Sequence, residues 1–94
     1  MKYDVAVIGG GVVGALISRE LSKYDVKAAV LERCNDIAMG TTKANSAIVH
    51  GGFDAVSGTV KAELNVEGTA IMPKLCKELN VPYRNNGSLV VAFS

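Results

Sequence analysis

The chain has 94 residues, 49% of them hydrophobic and 20% charged, with a formal net charge of +1. That balance belongs to a folded, soluble chain and excludes a disordered one, while the scattered basic residues leave no electrostatic footprint for nucleic acid. The length suits one small domain and falls short of the roughly 150 residues of a complete doubly wound domain.

The N-terminal apolar run is interrupted by Asp4 and stopped by three glycines after Ile8. It therefore reads neither as an export signal nor as a membrane span. Val5 to Ile8 form a continuous apolar run, which predicts a strand buried on both faces of a parallel sheet. The loop Gly9-Gly10-Gly11-Val12-Val13-Gly14 follows and opens a helix. Val13, Ile17, Leu21 and Tyr24 recur at helical spacing and predict the stripe that lies on the sheet. Ser18 is small enough for close packing against the strand. The helix ends over Lys23 to Asp25, and Val26 to Leu31 reads as a second strand. Joined in this order, the three elements predict a right-handed βαβ unit.

Between Arg33 and Asp54 the sequence turns small and polar, then apolar, and predicts a loop with one short helical turn. Thr59 to Asn80 reads as a helix with Val60, Leu64, Ile71, Leu75 and Leu79 on one side. Gly68 and Pro73 inside it predict a kink or a break into two pieces. Val81 to Asn85 and Leu89 to Phe93 flank Asn86-Gly87, the dipeptide of a tight hairpin turn. The fold class is thus α/β: a Rossmann-like, incomplete doubly wound βαβ unit, then a helix and the first hairpin of a substrate domain. The corresponding boundaries are 1–80 and 81–94. Free edges of a two-stranded sheet predict self-association, and the chain reads as the front part of a larger enzyme whose remainder is a partner.

The chemistry begins at the glycine loop. Gly9 permits the sharp turn out of the strand, Gly11 has no Cβ to hold a diphosphate away, and Gly14 lets the helix approach the strand. The N–H groups of Val12 and Val13 then face an anion from the first helical turn. Glu32, at the end of the second strand, suits the two hydroxyls of an unphosphorylated ribose, as in FAD or NAD. Arg33 either lies along an adenine or is a solvated charge. Thr41, Thr42, Asn45 and Ser46 offer groups to phosphate or sugar oxygens, or serve ordinary turn chemistry. His50, the one histidine, is a packed residue, a neighbour of the cofactor or a direct participant in the chemistry, and no other catalytic candidate is assigned. Cys34 and Cys76 have no C-x-x-C partner and are read as buried thiols of a reducing compartment, so no metal site is assigned and the cytoplasm is the expected location.

The strand and glycine loop, Val30-Leu31-Glu32-Arg33, and the run Gly40-Thr41-Thr42…Asn45-Ser46…Ile48-Val49-His50-Gly51-Gly52 resemble the N-terminus of the FAD-dependent D-amino-acid-oxidase-like superfamily. Leu64 to Gly68 and Asn86 to Val91 are also similar, so the resemblance covers nearly the whole chain, though only the front portion of such enzymes. Within the superfamily the likeness is greatest to flavin-dependent glycerol-3-phosphate dehydrogenases and L-2-hydroxyglutarate oxidases. The resemblance implies FAD as cofactor. It implies that Val12 and Val13 meet the pyrophosphate and that Glu32 and Arg33 meet the adenosine half. Thr41, Thr42, Ser46, Ala47 and Ile48 would line the rest, and His50 would lie near the flavin ring. Asp25 departs from the glycine common before the second strand, which alters the turn and not the cofactor.

The activity so implied is hydride transfer from a small hydroxy substrate to FAD, with sn-glycerol 3-phosphate leading. L-2-hydroxyglutarate or amino-acid oxidation in the same superfamily is the alternative. A nicotinamide-dependent dehydrogenase and a non-catalytic nucleotide-binding module are the rivals outside it. Association of the intact enzyme with a membrane stays open at this point.

Overall fold

The computed structural model describes residues 1–93, so Ser94, the end of the expected hairpin segment, lies outside the described residues. The chain divides into two compact units, Met1–Ala47 and Ile48–Ser94.

The first unit is built on strand β1 (Val5–Ile8), helix α1 (Val12–Leu21) and strand β2 (Ala28–Leu31). The strands pair in parallel, with Val5 opposite Ala28 and Ile8 opposite Leu31. A short 3-10 turn at Thr41–Lys43 is the predicted helical turn of the following loop. The start of the sheet is fastened by Asp4. Its N–H donates to the Lys27 carbonyl (2.8 Å), and its carboxylate accepts from the Lys27 N–H (2.8 Å). β2 begins two residues later than expected because the Val26 N–H is already taken by the Tyr24 carbonyl (2.9 Å) in a tight turn.

Only one face of β1 is covered. Val7 is buried, whereas Ile8 is 78% exposed, so the expectation of burial on both faces fails in this chain. α1 packs on one side of the two strands and nothing in the unit covers the other. The packed face of α1 matches the prediction at Gly14, Ser18 and Leu21 and departs from it elsewhere. Val13, Ile17 and Tyr24 are exposed, while Gly14 is buried and Ser18 and Leu21 are half-buried. Small side chains face the strand because the helix lies so close to it. A Cβ at Gly14 would overlap the Gly9 carbonyl, and the Ser18 hydroxyl turns back onto the Gly14 carbonyl (2.8 Å). Gly9 itself has φ +102°, a conformation that other residues rarely adopt.

The second unit is organised by helix α2 (Val60–Glu78). Thr59 caps it, its hydroxyl accepting from the Ala62 N–H (3.2 Å) as an N-cap threonine does. At the other end Asn80 takes φ 55°. The Val81 N–H bonds the Cys76 carbonyl (2.8 Å) and the Asn80 N–H bonds the Lys77 carbonyl (3.4 Å). These are the two bonds of a Schellman closure with Asn in the left-handed position. α2 is one helix, and the break expected at Gly68 and Pro73 does not occur. A proline costs the helix a single i→i−4 bond at the Thr69 carbonyl, and a well-capped helix of 19 residues spans that gap.

Of the five apolar residues predicted on one side of α2, only Leu75 is half-buried. Val60, Leu64, Ile71 and Leu79 are exposed, whereas Cys76 is buried and Asn65, Thr69 and Met72 are half-buried. The cysteines separate likewise: both are free, Cys76 buried and Cys34 exposed, so the expectation of two buried thiols holds for one. Residues 81–93 contain no strand, and the expected hairpin is not formed. Leu89 and Phe93 are 95% and 94% exposed, and two strands without an apolar surface to pack on are marginal in water. Among the described residues no helix is long and apolar enough to cross a membrane.

Gly14→Ala is expected to destabilise the first unit by at least about 2 kcal/mol, since the obstacle is backbone and cannot swing aside. Urea unfolding followed by far-UV circular dichroism measures it, and an unchanged midpoint contradicts the close α1–β1 approach.

Candidate functional site

Three backbone donors at the glycine turn, those of Gly9, Gly10 and Val12, have definite partners. The Gly9 N–H continues the sheet to the Leu31 carbonyl (2.8 Å). One residue on, the Gly10 N–H leaves the ladder and donates to Glu32 Oε2 (2.8 Å). The other carboxylate oxygen, Oε1, accepts from the Cys34 N–H (3.0 Å). The half-buried carboxylate thus faces the turn with one bond on each oxygen. A carboxylate offers about four lone-pair directions, so two stay open for hydroxyl donors such as those of a ribose. The Cys34 N–H first, then the Gly10 N–H, hold the Glu32 carboxyl below the ordinary glutamate range.

The first turn of α1 has no acidic side chain, and its N-cap, Gly11, offers no side chain at all. The cap comes from a distance of thirty residues: the Val12 N–H donates to the Thr42 hydroxyl oxygen (3.0 Å). Thr42 is brought there by the 3-10 turn Thr41–Lys43. The approach is so close that a Cβ at Gly11 would lie 2.9 Å from that oxygen. Beside the turn a cleft of about 450 Å³ is lined by β1, by Val13 and Ile17 of α1, and by Thr42. A positive helix end capped by a neutral hydroxyl, with an adjoining cleft, suits the phosphate oxygens of a dinucleotide.

The remaining residues singled out from sequence are less engaged. Arg33, Thr41 and Ser46 are exposed. Ala47 is exposed at φ 55°, its N–H held by Asn45 Oδ1 (2.7 Å). Sequence reading missed Ala38, whose N–H bonds the Gly10 carbonyl (2.9 Å) and keeps the loop after β2 on the turn. A backbone bond of this kind leaves no trace in residue type.

In the second unit, Ile48 is 64% exposed and His50 is held at two places. Its carbonyl accepts from Asn65 Nδ2 (2.8 Å) and from the Thr69 hydroxyl (2.6 Å), two residues four apart on α2. Its ring Nδ1 lies 3.1 Å from Asp54 Oδ2. His50, Asp54, Lys61 and Asn65 line a cavity of about 320 Å³. Asp54, Asn65 and Thr69 were not singled out from sequence. An i, i+4 Asn/Thr pair on a helix is a common surface pattern and carries no signal until its acceptor is known.

A profile of the FAD dependent oxidoreductase (DAO) family matches residues 4–94. The chain belongs to this family. Its curated relatives include a protein named glycerol 3-phosphate dehydrogenase from Caloramator mitchellensis, 54% identical over 97% of the chain and 19% of the relative. A protein named L-2-hydroxyglutarate dehydrogenase, mitochondrial, from Dictyostelium discoideum is 39% identical over 96% of the chain and 21% of the relative. A glycerol 3-phosphate oxidase from Mycoplasma genitalium is 36% identical over 97% of the chain and 24% of the relative. The chain spans about a fifth of the length of these relatives. Membership makes FAD the cofactor of the family fold to which the glycine turn belongs, and the nicotinamide alternative is set aside.

Because the Glu32 carboxyl titrates low in the folded chain, its stabilising effect is complete above the ordinary glutamate value of about 4.3. It is lost as pH falls through the lower folded value. Urea unfolding at pH 6 and near pH 3 is expected to show a steeper loss of stability in the wild type than in Glu32→Gln. Equal pH dependence in the two proteins contradicts the bonds to Gly10 and Cys34.

Proposed function

We propose that this chain is the FAD-binding start of a flavin-dependent dehydrogenase or oxidase acting on sn-glycerol 3-phosphate. The observation that carries it is the paired arrangement at the turn: Glu32 on the Gly10 N–H and Thr42 on the Val12 N–H. The parallel βαβ unit is the opening of a doubly wound, Rossmann-like domain whose further strands belong to a polypeptide of the relatives' length. In the bound state Val12 and Val13 present N–H groups to the pyrophosphate, with Gly9, Gly11 and Gly14 leaving it room. Glu32 receives the ribose hydroxyls, Arg33 flanks the adenine, and Thr41, Thr42, Ser46, Ala47 and Ile48 follow the rest of the cofactor.

FAD supplies a two-electron acceptor for hydride. The protein binds and orients, and it must take the proton of the substrate hydroxyl. His50, two residues beyond Ile48, is the candidate acceptor at Nε2. Glycerol 3-phosphate is preferred as substrate because a relative of that name shares 54% identity with the chain, against 39% for the L-2-hydroxyglutarate dehydrogenase. The cytoplasm is the proposed compartment, on the same cysteine usage as before.

The test uses the enzyme carrying this chain as its N-terminal portion. Anaerobic addition of glycerol 3-phosphate is expected to bleach its flavin absorbance, and L-2-hydroxyglutarate is expected not to. The reverse pattern selects the L-2-hydroxyglutarate reading. A colourless protein that retains no FAD overturns the proposal. Glu32→Ala is expected to weaken FAD binding about tenfold or more, which corresponds to one lost charge-assisted bond, read by flavin fluorescence.

A further inference from the structure

The bond between His50 and Asp54 has a chemical direction. An ionised aspartate only accepts hydrogen bonds, so the 3.1 Å contact between Nδ1 and Oδ2 requires the proton on Nδ1. A neutral imidazole with its proton on Nδ1 carries its lone pair on Nε2. Among the described residues nothing bonds Nε2. The backbone of the same residue is fixed independently, because Asn65 and Thr69 both donate to its carbonyl. The Thr69 hydroxyl also lies 2.9 Å from the Asn65 carbonyl, the second acceptor within reach of its single proton. Ring and main chain are therefore oriented by separate groups, beside a cavity of about 320 Å³ that admits a small polar molecule.

We propose that Asp54 is a positioning residue for His50, selecting the Nδ1–H tautomer so that Nε2 stands ready as a proton acceptor. The proposal rests on the reading of this chain as part of a hydroxy-substrate dehydrogenase. Asp54 touches neither substrate nor cofactor in this scheme and acts through the imidazole alone. The pair is largely exposed, with side chains 62% and 63% accessible. Exposed pairs of this kind add little to stability, so the carboxylate can be removed without loss of the fold. Its effect falls on the tautomer.

In the enzyme that carries this chain, the His50 imidazole nitrogen signals are identified by their loss in His50→Gln. Long-range 1H–15N spectra recorded with the ring neutral are expected to show Nδ1–H as its major tautomer. In Asp54→Ala the Nδ1–H to Nε2–H ratio is expected to fall by about threefold, the scale of an exposed charged contact, with the amide spectrum otherwise retained. Asp54→Glu, which keeps a carboxylate within reach, is expected to restore part of the ratio. A wild-type ring dominated by Nε2–H overturns the proposal whether or not any variant folds, and so does an unchanged ratio in a folded Asp54→Ala protein. The readout needs neither flavin nor substrate. Failure of the dehydrogenase reading, seen as absent flavin reduction, is thereby distinguished from failure of the Asp54–His50 pair.

Discussion

The hydrogen bond from the Gly10 N–H to the Glu32 carboxylate holds the first unit in its working shape. It joins the point where β1 leaves the sheet to the point where β2 ends, twenty-two residues later. The sheet brings the two segments together as far as the Gly9 N–H bond to the Leu31 carbonyl (2.8 Å), and the Gly10 bond carries that link on to the Glu32 side chain. With it, the carboxylate sits beside the glycine backbone, and the loop beyond is drawn in by the Ala38 bond to the Gly10 carbonyl. Local order at the turn and placement of the Glu32 carboxylate are one event. The backbone donors that orient Glu32 also stabilise its charge, so the group arrives at the site already ionised.

The second unit repeats this logic with different parts. A helix face made of Asn65 and Thr69, not of leucines, meets the chain at His50, and it does so through a carbonyl. Polar side chains on the covered face of α2 explain why Val60, Leu64 and Ile71 are left outward.

Much of the first unit could be read from residues alone. Strand, glycine loop, helix and second strand are encoded by neighbours in sequence, and apolar runs punctuated by glycine mark them within a residue or two. The covered faces of α1 and α2 were legible only in part. Gly14 and Ser18 could be read as the small residues of a close helix–strand approach, but the outward position of Val13 and Ile17 that goes with it could not. Thr42 was legible as a loop hydroxyl near the acid, but not as the group that reaches the Val12 N–H, because that depends on how thirty residues fold back. Asp54, Asn65 and Thr69 were invisible for the same reason. The hairpin around Asn86-Gly87 shows the opposite error: a strong local turn signal cannot form a sheet where Leu89 and Phe93 have nothing to lie against.

Thr42 has one more implication. In the ligand-free chain the Val12 N–H is not waiting for an acceptor, because a neutral hydroxyl already occupies it. An incoming oxygen therefore exchanges one bond for another, and the number of bonds at that nitrogen does not change. What differs is the formal charge of the oxygen, and bonds to ionised acceptors are roughly twice as strong as neutral ones. Discrimination at this spot is thus a matter of anion against alcohol, so an uncharged sugar gains nothing here by displacing the threonine.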